Sequence, residues 1–96
     1  MSEQIRLLAM GDHEFSVDVT EGPNTTTHRV TVPQELLDDL GLPTADQEDE
    51  ERVVRESFDF LLEREKSTQI LPEFPLEVIS TYFSDYLDEM RTRLTG

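Results

Sequence analysis

His13 and His28 are the only imidazoles in the chain, so proton transfer or metal ligation by histidine would have to start from them. His13 stands between Asp12 and Glu14, residue types that accompany histidine in acid–base and metal chemistry. Alternation of apolar and polar residues puts both histidines on the apolar face of two paired strands, about four residues out of step. They do not meet as a ligand pair without a third group, and a rim or core histidine with one hydrogen bond is the simpler reading. The acidic run over residues 46–51 offers carboxylates for Ca²⁺ or Mg²⁺. It lacks the spaced Asp/Asn ligands and central glycine of an EF-hand loop, and it reads as a solvated helix start. No G-x-S-x-G, glycine-rich phosphate loop or H-E-x-x-H occurs. The absence of cysteine removes disulfides, thiolate chemistry and Cys-based metal sites together. These patterns assign no catalytic, cofactor-binding or metal residue, and a non-enzyme without a cofactor is expected.

The charge says more about partners. Twenty-two acidic residues face eight basic ones, only Lys66 among them a lysine, for a formal net charge of −14. Phosphate recognition needs clustered Lys and Arg, so nucleic acid and anionic membrane are disfavoured. Two sources explain such acidity: a halophilic one, in which carboxylates keep surfaces hydrated in concentrated salt, and a GC-rich genome that favours Arg over Lys. No apolar run approaches the ~20 residues of a membrane span, and residues 1–4 lack a signal-peptide pattern. A cytoplasmic protein is expected. Leu, Ile, Val and Phe make up roughly 28% of the chain, above the ~20% floor of disordered sequences. Ninety-six residues make one domain, 1–96.

The elements that must position these residues follow from periodicity. His13, Phe15, Val17 and Val19 alternate with polar residues, as do Thr26, His28, Val30 and Val32. With a turn at residues 21–24, this predicts a β-hairpin over about 13–32. Val17 then lies opposite His28, Phe15 opposite Val30 and Ser16 opposite Arg29. The apolar run at residues 5–10 is a candidate third strand. Leu36, Leu37 and Leu40 mark a helix over about 33–40, ended by Gly41, Leu42 and Pro43. A second helix over about 46–66 carries Val53, Val54, Ser57, Phe58, Leu61 and Leu62 at helical spacing, with Phe60 at the edge of that stripe. Thr44 with Gln47 is its candidate capping box, and Arg52–Glu56 and Arg55–Asp59 are i,i+4 pairs on its solvent side. Residues 67–75 read as a linker pinned by Pro72 and Pro75, with Ile70, Leu71 and Phe74 free to pack.

The last helix, about 75–94, carries a seam of Leu76, Ile79, Phe83, Leu87, Met90 and Leu94. Ser84 and Asp85 offer a cap that would split it in two. Val78 and Tyr82 lie off the seam, so this helix is apolar on two sides. Either the rest of the fold covers both, or one side meets a partner through Val78, Tyr82, Tyr86, Met90 and Leu94. The class is therefore α+β: an antiparallel hairpin, with a candidate third strand, packed on about three helices. The predicted core is Phe15, Val17, Val19, Val30, Val32, Leu36, Leu37, Leu40, Val54, Phe58, Leu61, Leu62, Ile79, Phe83 and Leu87. The leading function is a non-catalytic module that binds itself, as a homodimer, or another protein.

Two resemblances accompany this reading. The segments HRVTVPQELLDDLG (28–41) and VVRESFDFLLERE (53–65) resemble the strand, helix and second helix of ribbon–helix–helix repressors and antitoxins. That resemblance implies a DNA-binding regulator whose strand offers Thr27, Arg29 and Thr31 to the major groove. Here the strand pairs within its own chain, and the helix–helix turn is a longer acidic loop. The phrases THRVTVPQELL, ESFDFLLERE and VISTYFSDYLDEM make the chain similar to short, uncharacterised prokaryotic proteins, mainly actinobacterial, with no assigned activity. A further alternative, an acidic mimic of DNA that blocks a basic protein, rests on charge alone.

Overall fold

Alternation of period two is realised in full between residues 14 and 31. A computed structural model describes residues 4–95. In it β2 (Glu14–Glu21) and β3 (Asn24–Thr31) pair antiparallel with Val17 opposite His28, Phe15 opposite Val30 and Ser16 opposite Arg29, the register expected. Gly22 takes φ 59° at the first position of the two-residue loop, where the chain's right-handed twist demands a positive φ. Phe15, Val17, Val19, Val30 and Val32 all point to the helices and are buried.

The sheet is larger than a hairpin. β1 (Gln4–Gly11) adds an antiparallel strand on β2, in the candidate third position. A fourth strand, β4 (Glu73–Pro75), lies parallel to β3, making a mixed sheet of order β1-β2-β3-β4. This corrects the linker assigned to residues 67–75. A three-residue strand between two prolines is too short to show a period. It is specified instead by tertiary contacts: the Arg29 amide donates to the Pro72 carbonyl at 2.8 Å, and Phe74 enters the core. A parallel neighbour needs a long crossover, and the helices between β3 and β4 supply it.

Helix α1 (Gln34–Asp39) ends as the residues predict. Gly41 takes φ 80°, its amide donates to the Asp38 carbonyl at 3.1 Å, and the Leu42 amide donates to Leu37 at 2.8 Å. That pair of bonds is a Schellman motif. Helix α2 (Gln47–Leu62) starts two residues later than the Thr44 cap requires. Asp46 is the N-cap, accepting from the Asp49 amide at 2.9 Å while Asp49 accepts in return. The acidic run is thus a helix start, stabilised by the dipole it faces. The helix stops at Leu62 rather than 66, since residues 63–66 add no apolar position and Glu63 and Glu65 oppose the dipole there. The expected pairs Arg52–Glu56 and Arg55–Asp59 do not form. Arg52 donates to the Arg93 carbonyl at 3.0 Å and Arg55 to the Ile5 carbonyl at 3.1 Å, so both tether α2 to other elements.

The C-terminal helix is split. A 3₁₀ turn (Leu76–Val78) runs into the short α3 (Ile79–Tyr82), and α4 (Tyr86–Thr95) follows an extended Phe83. The break has a tertiary cause. Arg64 lies 3.7 Å over the Phe60 ring and bonds Asp85 at 2.9 Å, while Phe83 and Tyr86 both meet Phe60 edge-on. Phe60, expected at the edge of the stripe, is therefore fully buried, a change worth roughly 1.5–3 kcal/mol for a side chain of its size. Leu62, Phe83 and Leu87, predicted as core, are only partly buried; Val53, Leu76, Tyr86 and Met90 fill the core in their place. Arg93 clamps α4 to α2 by bonding Glu63 at 2.7 Å.

Candidate docking groove

The break before α4 leaves α3 standing apart from α4's seam, and a groove of about 410 Å³ opens beneath it. Three parts build it: the end of α2 and the turn after it, with Leu61 and Glu65; the segment 69–74; and the 3₁₀ turn with α3, carrying Val78 and Tyr82. Tyr82 is 68% exposed and Leu71 45% exposed at its mouth. Ile70, Phe74 and Ile79 form an apolar floor continuous with the core.

The hairpin holds the groove's wall by two hydrogen bonds. The Glu21 carboxylate accepts from the Ser67 amide at 2.9 Å, fixing the 3₁₀ turn Ser67–Gln69. That bond pulls the Glu21 carboxyl below its ordinary value of 4.5. Further along, His28 is buried with Nδ1 2.8 Å from the Leu71 carbonyl and Nε2 2.8 Å from the Thr26 hydroxyl. A carbonyl only accepts, so Nδ1 donates to Leu71, while Nε2 bonds the Thr26 hydroxyl, a group that donates and accepts alike. Both nitrogens are satisfied, and the ring tilts against Phe58 at 5.5 Å. His28 is thus the wall's anchor rather than a reactive base. Glu65 stands at the groove without an ion pair among the described residues, and burial raises its carboxyl above the ordinary 4.5. An apolar trough with one partly buried, unpaired carboxylate favours an apolar group that brings a cation with it.

The five residues expected at an interface part company. Val78 and Tyr82 line the groove. Tyr86 and Met90 are fully buried inside the chain, a correction that follows from the helix break: it turns Tyr86 inward, where it meets the Ser57 hydroxyl at 2.7 Å. Leu94 packs half-buried against the core. Leu71 and Glu65 are site residues that the sequence does not single out; Pro72, directly after Leu71, is the one local signal.

The other candidates are placed as follows. His13 sits outside the strands in the β1–β2 turn at φ 60°, its Nδ1 2.6 Å from the buried Glu50 of α2. Asp12 and Asp46 share a small cleft of about 140 Å³ with this pair. Among the described residues no group of three His, Cys, Asp or Glu is arranged to hold a metal ion. Thr27, Arg29 and Thr31 are exposed on the sheet's open face. Thr27 donates to Asp18 at 2.9 Å, and Arg29 lies 3.7 Å from Glu14. β3 has neighbours on both sides, so it is not free to pair with a twin as a ribbon–helix–helix strand does. Among the described residues no helix is long and apolar enough to cross a membrane. Comparison with protein-family models, with curated proteins and with solved structures finds no match for this chain.

Proposed function

We propose that the chain is a non-catalytic interaction module that receives an apolar segment of a partner protein in the groove under α3. The observation that carries this reading is the exposure of Tyr82 and Leu71 at the mouth of a trough whose floor is core. Large apolar side chains left in water beside a preformed concavity mark binding surfaces, and tyrosine is enriched where binding energy concentrates. The groove's volume falls within the ~300–1,000 Å³ typical of ligand sites. Glu65 selects for a basic neighbour beside the apolar group, and the net charge of −14 steers such a partner in. A short amphipathic helix with Lys or Arg flanking its apolar stripe has the matching chemistry.

An amide-resonance titration with an amphipathic Leu/Lys peptide tests this. Shifts at Leu71, Val78 and Tyr82 that survive molar KCl and disappear in Tyr82→Ala are expected. Shifts spread over the acidic surface and abolished by salt would refute it.

A further inference from the structure

The opposite edge of the sheet carries an independent signal. β1 is an edge strand, and the parity of its ladder shows which backbone groups are free. The Arg29 amide reaches the Pro72 carbonyl just before β4 and the Val32 amide reaches the His13 carbonyl, so odd-numbered residues of β2 bond β3 and even-numbered ones bond β1. In β1, Arg6 and Leu8 therefore face β2, opposite Asp18 and Ser16. Ile5, Leu7 and Ala9 direct their amides and carbonyls outward. The Ile5 carbonyl confirms this by accepting from Arg55. Eight residues long, this edge holds one charge, Arg6, and no proline, two devices that keep exposed edges from pairing. Leu8, 64% exposed, and Met10, 46% exposed, stand on the uncovered face beside it.

The edge is also electrically polar. Arg55 lies at its Ile5 end, while Asp12 and Asp46 lie at its Gly11 end. An antiparallel approach of a second copy brings each cationic end against the other's acidic end, whereas a parallel approach sets like charges together.

We infer that β1 is a homodimerisation strand, pairing antiparallel with β1 of a second copy about a two-fold axis at Leu7. Leu7 meets Leu7 of the second copy and Ile5 meets its Ala9, adding about four backbone hydrogen bonds, since Arg55 already holds the Ile5 carbonyl of each copy, and joining the two sheets into one. Arg55 of each copy then reaches toward Asp12 of the other. The groove borders β4, at the far edge of the sheet, so this pairing leaves both grooves open.

Sedimentation velocity and amide hydrogen exchange on the intact chain test this in molar KCl, which screens the mutual repulsion of two acidic chains. The expected mass is twice the 11.1 kDa of one chain. The Ile5, Leu7 and Ala9 amides should gain protection as concentration rises, while Arg6 and Leu8 are protected throughout. With KCl lowered to about 0.15 M, where a Debye length of ~8 Å leaves the Arg55–Asp12 attraction in place, Arg55→Glu should weaken the dimer about ten-fold, or ~1.4 kcal/mol. A monomer at every concentration overturns the inference. So does a dimer whose Leu7 amide exchanges as in the monomer, or one that Arg55→Glu leaves unchanged.

Discussion

The Tyr86 hydroxyl lies 2.7 Å from the Ser57 hydroxyl, with no water access to either side chain. This contact is the joint between α4 and α2, and Met90 closes over it with its sulfur 3.9 Å from Ser57. Burial pushes the Tyr86 phenol up to about 12, against the opposing pull of the Ser57 bond. Removing the hydroxyl in Tyr86→Phe strands a buried Ser57, and urea denaturation should show a loss of about 1–2 kcal/mol. A raised acid favours the neutral form in the folded state. The stability Tyr86 contributes is thus complete below 10, its ordinary value, and lost as pH rises through about 12. Ultraviolet titration should show this late ionisation coinciding with alkaline unfolding, and the late step should vanish in Tyr86→Phe.

His28 should act on the groove without touching its occupant. His28→Phe keeps a ring against Phe58 but gives up the bonds to Leu71 and Thr26. A loss of about 1–2 kcal/mol is expected from urea denaturation. Amide resonances of residues 69–72 should broaden or shift, and binding of the Leu/Lys peptide should weaken although Tyr82 and Glu65 are intact.

Acid titration should separate two glutamates at the same site. Burial raises Glu65, so its contribution is full below 4.5 and lost as pH rises through its folded value. Glu65→Gln should therefore raise the melting temperature at neutral pH, and the gain should shrink as pH falls through 4.5. Glu21 has the opposite sign. The Ser67 amide favours its carboxylate, so its contribution is present above 4.5 and lost as pH falls. Glu21→Gln should lower the melting temperature at neutral pH and make little difference in acid. The effect stays below about 1 kcal/mol because water screens this carboxylate.

Gly41→Ala tests the helix end. Nothing stands in the way of the added methyl group, so the cost is purely that of φ 80° for a residue with Cβ. A loss of about 1–2 kcal/mol is expected from thermal denaturation.

What could be read in the residues alone follows the reach of the forces involved. The register of β2 on β3 and the Schellman end of α1 are local, set by period two and by one glycine, and both stand as expected. β4 and the break at Phe83 are tertiary. Phe74 is held by its neighbours β3 and α2, and Phe83 turns extended because Arg64, Phe60 and Asp85 make better contacts that way. The same cause moved Tyr86 and Met90 from an expected surface to the core. Val78 and Tyr82 were legible because they lie off any single helical seam. Leu71, outside any periodic segment, and Glu65, at the polar end of the helix expected to 66, were not, since only the fold of residues 67–74 brings them together.

The groove is tested most directly by a benzophenone side chain placed at Tyr82 in the source cells, with a second placed at Thr27 on the open sheet face. The account predicts a discrete protein adduct on illumination from position 82, lost when Leu71→Lys charges the mouth of the groove, and none from position 27. No adduct from position 82, or the same adducts from both positions, would contradict it.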